Sequence, residues 1–118
     1  MRSTSPPDND YVHALELAIH TMMLLHPTVE RIQYWDRDLG DRLRIALGSM
    51  ALNLIEGNRS KADDRIAHFR MAAASNRESH VALRMAISRR YVPASEVELA
   101  DVSLERIAPM LHRLGAAH

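Results

Sequence analysis

The sequence predicts an all-α fold, an antiparallel up-down four-helix bundle, on three observations. Apolar residues recur at 3-4 spacing along most of the chain, period-two alternation is missing, and β-branched and aromatic residues are few. With 118 residues the chain is long enough for one domain and too short for two good cores. The start, Met1 to Tyr11, is Ser/Pro/Asp-rich and lacks an apolar run, so we expect a disordered leader over 1–7 and a single bundle domain over 8–118.

Helix 1 is expected from about Asp8 or Asp10 to Leu25, with Tyr11, Leu15, Ala18, Met22 and Leu25 on one face and Pro27 ending it. Leu17 and Leu24 fall off that face. Between Pro27 and Asp36, the residues Val29, Ile32, Tyr34 and Trp35 carry enough apolar mass to pack as a short helical turn. Asp36 or Asp38 can then cap helix 2, expected over 38–57.

Helix 2 carries two apolar seams. Leu39, Leu43, Ala46, Leu47, Met50 and Leu54 cluster about one direction, and Ile45, Gly48, Leu52 and Ile55 lie roughly opposite. A small bundle has one core to fill, so the second seam calls for another partner, most economically a second copy of the chain. Gly57 suits the left-handed position after the helix, and Ser60 with Asp63 resembles a capping box opening helix 3.

Helix 3, about Lys61 to Arg89, is apolar or small around most of its circumference. Ile66, Phe69, Ala73, Leu83 and Ile87 mark one side, Met71, Ala74, Val81 and Met85 another, and Ala72, Ser75, Ser79, Ala82 and Ala86 run between them. The remaining strip holds Arg59, Arg70, Arg77 and Arg84, the last three spaced by seven in a nearly straight line. After Pro93, Ser95 and Glu98 form a second capping box. Helix 4 then places Val97, Ala100, Leu104, Ile107, Leu111 and Leu114 at strict 3-4 spacing, with Pro109 set to kink it.

Composition excludes several chemistries. Without cysteine there is no disulfide, no thiolate nucleophile and no Cys-ligated zinc or iron–sulfur cluster. No stretch approaches a membrane span, which makes the cytoplasm the default location. Basic and acidic residues balance at 15 each, but residues 1–57 hold 5 basic against 8 acidic and residues 58–118 hold 10 against 7, so the C-terminal half is basic. Fourteen of the basic residues are arginine, a residue chosen for geometry.

No catalytic set emerges. Four-helix di-iron sites need Glu-x-x-His pairs, and none occurs; Asp10 with His13, Glu16 with His20, and Asp64 with His68 are half-sites among seven histidines. The hydroxyls lack an elbow motif, and the glycines form neither a phosphate loop nor a dinucleotide fingerprint. We therefore expect no enzyme, no metal and no cofactor. Ser49, Asn53 and Glu56 form a polar row that reads as structural, bonding to helix 3. Glu78 reads likewise, with Arg44 or a hydroxyl as partner, and Asn76 and His80 join it as inward polar groups.

Residues from Arg44 through Ser49, Asn53, Ile55, Glu56, Gly57, Arg59 and Ser60 resemble the signature of a bacterial family, the four-helix bundle proteins encoded in 23S rRNA intervening sequences. Members read Arg-Arg-Ala-Ala-x-Ser-Ile-Pro-x-Asn-Ile-Ala-Glu-Gly, then a basic Ser-containing turn, then a long helix with Phe-x-x-x-Ala-x-Gly-Ser-x-x-Glu. Asn53, Glu56, Gly57, Phe69, Ala72, Ser75 and Glu78 resemble those positions, with a one-residue shift at Phe69. The chain departs at Ala51, Ile45, Ala74 and Asn76, where the family has proline, arginine, glycine and an apolar residue. The match covers about residues 40–92 and the outer helices in outline.

The resemblance implies a ring-like homopentamer and kinship to the accessory proteins that work with reverse transcriptases in diversity-generating retroelements. Those relatives are strongly basic nucleic-acid binders, whereas this chain is neutral. The expected function is thus a non-enzymatic homo-oligomeric scaffold or adaptor assembled through Ile45, Gly48, Leu52 and Ile55, with no small-molecule substrate evident. The alternative is an accessory protein binding RNA or DNA, or an acidic partner, through Arg59, Arg70, Arg77 and Arg84. Against it stands a solvated helix edge whose arginines pair with Glu98, Asp101 and Glu105.

Overall fold

The computed structural model describes residues 6–116, with side chains from Asn9 onward. Four helices follow one another: α1 (Pro6–Trp35), α2 (Arg37–Arg59), α3 (Ala62–Ser88) and α4 (Ala94–Leu114). Connections of one to five residues leave no room for a crossover, so successive helices run antiparallel, and α4 closes the bundle against α1. The molecule is a rod of 50 × 27 × 18 Å. The first five residues of the expected leader lie outside the described residues; α1 opens at Pro6, where proline's missing N–H costs a helix nothing.

Pro27 does not end α1, contrary to expectation: the helix runs eight residues further, to Trp35. Pro27 and Met23, the residue whose carbonyl would have met its N–H, both face solvent, and water can hydrate the freed carbonyl. The turns beyond are held by Val29 and Ile32, which enter the core. Pro109 is tolerated in α4 in the same way, with exposed Glu105 four residues before it. The core strip of α1 is Ala14, Ala18, Leu25 and Ile32 with Thr21 and Thr28; Tyr11, Leu15 and Met22 sit at its flank.

Asp36 caps α2, its carboxylate accepting from Leu39 N at 3.1 Å. Gly57 is not a left-handed terminus. It lies inside α2, which continues to Arg59, and a Cβ there would meet Phe69 Cε1 at 2.6 Å and Cδ1 at 2.7 Å. Glycine is needed at 57 because the ring of Phe69 packs against its Cα. Ser60 likewise closes α2 instead of opening α3: its N–H reaches Gly57 O at 3.2 Å and its hydroxyl donates to Glu56 O at 2.7 Å. Neither expected capping box forms, since α3 starts after Lys61 and α4 after Pro93 with no side-chain cap, and Ser95 and Glu98 lie within α4.

The interior is filled by Leu43, Met50 and Leu54 of α2, Phe69 and Leu83 of α3, and Leu104, Ile107 and Leu111 of α4, all almost completely buried. On α3, Ala72, Ser75, Ser79, Ala82 and Ala86 are buried as a stripe that lets neighbouring helices approach closely. Polar clasps bind the rim. Asp10 holds Arg113 through two bonds of 2.8 Å, and Glu96 accepts from Thr28 Oγ1 at 2.8 Å and pairs with Arg31. Asp36 also takes Arg89 at 3.1 Å and the Tyr91 hydroxyl at 3.2 Å.

Candidate functional site

The second seam of α2 stays outside the core. Ile45 is 59% and Leu52 64% exposed, while Gly48 and Ile55 are half-buried on the side toward α1. α1 adds residues that sequence spacing had not assigned to a surface: Ile19 and Met23 are exposed and, with Met22, Gly48, Leu52 and Ile55, line a groove of about 560 Å³. The available signal was the four-residue step from Ile19 to Met23, away from the core strip of α1. An apolar surface spread over two helices is unusual for a chain that stays single.

Gly48 sharpens the picture. A glycine within a helix costs about 1 kcal/mol relative to alanine, and a reason is normally visible in the packing. At Gly40 the reason is Gln33, whose backbone nitrogen would lie 2.7 Å from a Cβ. At Gly48 a Cβ would meet nothing within 4 Å, so none of the described residues requires the glycine.

The polar row is divided. Asn53 Nδ2 donates to Ser49 O at 3.0 Å and Ser49 Oγ at 3.2 Å, which turns its carbonyl oxygen toward His68 Nδ1 at 2.9 Å. An amide oxygen only accepts, so His68 carries its proton on Nδ1. Asn53 thus ties α2 to α3, but Ser49 bonds within α2 and Glu56 is exposed with no side-chain bond among the described residues, so the expected bonding of these two to helix 3 is corrected. Glu78 is also exposed and has no ion pair among the described residues, because the strip it shares with Met71, Ala74 and Val81 faces away from the bundle core. Its expected inward position and its pairing with Arg44 are therefore corrected.

Asn76 is buried, its amide nitrogen donating to Leu104 O at 3.1 Å. His80 is half-buried with Nδ1 2.9 Å from Asp101 Oδ1, off the direction a ring N–H would need, so that buried oxygen lacks a hydrogen bond. The arginine line is only partly free. Arg70 Nε donates to Gly115 O at 3.0 Å at the end of α4, and Arg84 pairs with Asp101 at 2.8 Å. Arg59 and Arg77 are exposed, with no partner among the described residues.

Among the described residues, no three or more His, Asp or Glu side chains gather as a metal site, and no helix is long and apolar enough to cross a membrane. Asp10 of one half-site is engaged by Arg113, and His68 of another by Asn53. No family model matches the chain, and no curated protein matches it in sequence. Among solved structures it is similar to a protein of unknown function from the S23 ribosomal protein family of Bacteroides thetaiotaomicron VPI-5482, with a TM-score of 0.73 and 14% identity over 92% of this chain and 99% of that one. At that identity the likeness establishes the four-helix fold and nothing finer.

Proposed function

We propose that the chain is a non-enzymatic subunit of a homo-oligomeric scaffold, assembled through the α1/α2 face. The observation that carries this is Gly48, a helix-interior glycine over open space, set beside exposed Ile45 and Leu52. A close-packed neighbour on that face accounts for all three residues at once, because glycine admits a backbone where a side chain would hold it off. The sequence resemblance to the intervening-sequence proteins supports a ring of five in the cytoplasm and kinship to the retroelement accessory proteins.

Light scattering on the purified protein tests the assembly. A mass that is a multiple of 13.4 kDa supports it, and a stable monomer at 13.4 kDa overturns it. The second function, nucleic-acid binding, rests on Arg59 and Arg77 alone, since Arg70 and Arg84 are engaged within the subunit. Its test is retention of structured RNA and of DNA at low salt and at about 200 mM, where phosphate contacts weaken steeply. Absence of binding at both salts overturns it.

A further inference from the structure

A separate groove of about 360 Å³ lies between α3 and α4, within the size range of small-molecule sites. Buried Leu104 forms its floor, and the exposed Val81 and Ala108 its apolar rim. Three side chains there are open to a ligand. Asn76, only 5% exposed, spends its amide nitrogen on Leu104 O and Met50 Sδ, while its amide oxygen takes no hydrogen bond from the described residues and stays open to water in a side chain that lines the groove. Arg77 and Glu105 line the groove from opposite helices, and among the described residues neither has an ion-pair partner.

The groove therefore offers a cation from α3, acceptors on both helices and an apolar floor. A simple anion would satisfy Arg77 but leave the Asn76 oxygen bare and face Glu105. A simple cation would meet the acceptors and oppose Arg77. We propose that the α3/α4 groove binds a small zwitterion with an apolar body, of the class of free α-amino acids with apolar side chains. Arg77 takes the carboxylate, the Asn76 amide oxygen and Glu105 take the ammonium, and the side chain lies on Leu104. None of its residues belongs to the α1/α2 face, so failure to bind would leave the assembly proposal standing, although Val81 at its rim also lies on the outward strip of α3.

The test is a titration of the full chain with L-leucine and L-phenylalanine, followed by calorimetry and by backbone amide shifts. Saturable binding with shifts at Asn76, Arg77, Leu104 and Glu105 is expected. Removing either charge of the ligand, with 4-methylpentanoate or 3-methylbutylamine in place of leucine, should weaken binding about tenfold or more, the worth of one charge-assisted hydrogen bond. Arg77→Gln and Glu105→Gln should do the same with unchanged melting temperature, since neither side chain has a partner in the fold. No saturable binding at tens of millimolar probe overturns the proposal, and so does equal binding of all three leucine-like probes. The ligand series needs no variant to fold.

Discussion

Gly57 and Asp36 show how single positions fix this bundle. A helix-interior glycine is ordinarily improved by alanine, by about 1 kcal/mol. At Gly57 the sign should reverse, because the new methyl would lie 2.6 Å from a Phe69 ring that is fully buried and has Arg65 5.0 Å over its face. Gly57→Ala is expected to lower unfolding free energy by about 2 kcal/mol, the usual cost of overpacking a core. Urea denaturation measures it, and adding Phe69→Leu should return part of the loss by making room.

At Asp36, the bond from the Leu39 backbone N–H, aided by the Tyr91 hydroxyl and by Arg89, holds the carboxyl below its ordinary value. A depressed folded value means that the carboxylate's stabilising contribution is complete above its unfolded value, about 3.9, and fades as pH falls through the folded one. Asp36→Asn keeps a capping oxygen and removes the charge. The variant should be less stable than the parent at pH 7, and the gap in urea midpoint should close as the pH is lowered well below 4. A gap independent of pH would locate the loss in packing instead.

At the scale of helices, amphipathic spacing was enough to place α2, α3 and α4 within a few residues, because burial of an apolar stripe decides where a helix lies. All six expected core positions of α4, from Val97 to Leu114, are buried. Ends were less legible, since they depend on contacts distant in sequence. Pro27 could be crossed because Val29 and Ile32 found the core, and Gly57 was read by its backbone freedom when its use is the approach of Phe69. The end of α3 is closed by a left-handed residue, Arg90 at φ 64, with Tyr91 N bonding Ala86 O and Arg90 N bonding Ile87 O. Glycine adopts that conformation without strain, and Arg90 makes no bond through its side chain. Arg90→Gly is therefore expected to stabilise the protein by about 0.5–1 kcal/mol, net of the added freedom of the unfolded chain, as a raised melting temperature.

The whole molecule adds a constraint that no single helix carries. A closed ring of five cannot use one self-complementary patch. It needs two different faces, each meeting the other on the next subunit. The chain offers the α1/α2 face around Leu52 and, on α3, the outward strip containing Met71 and Val81, 46% and 55% exposed. The second seam of α2 could be read in the sequence because Ile45, Leu52 and Ile55 are large and apolar; the place of Glu78 was obscured because one charge among apolar neighbours looks the same in sequence on a buried strip and on an exposed one. We expect Leu52→Glu and Met71→Glu each to give monomers in light scattering, since a desolvated charge costs several kcal/mol at either junction. Mixed in equal amounts, the two variants should recover one intact junction, between the good α1/α2 face of the Met71 variant and the good α3 face of the Leu52 variant. That mixture should stop at a species of about twice 13.4 kDa. If Met71→Glu assembles like the parent while Leu52→Glu does not, the α3 strip is not the second face of a ring.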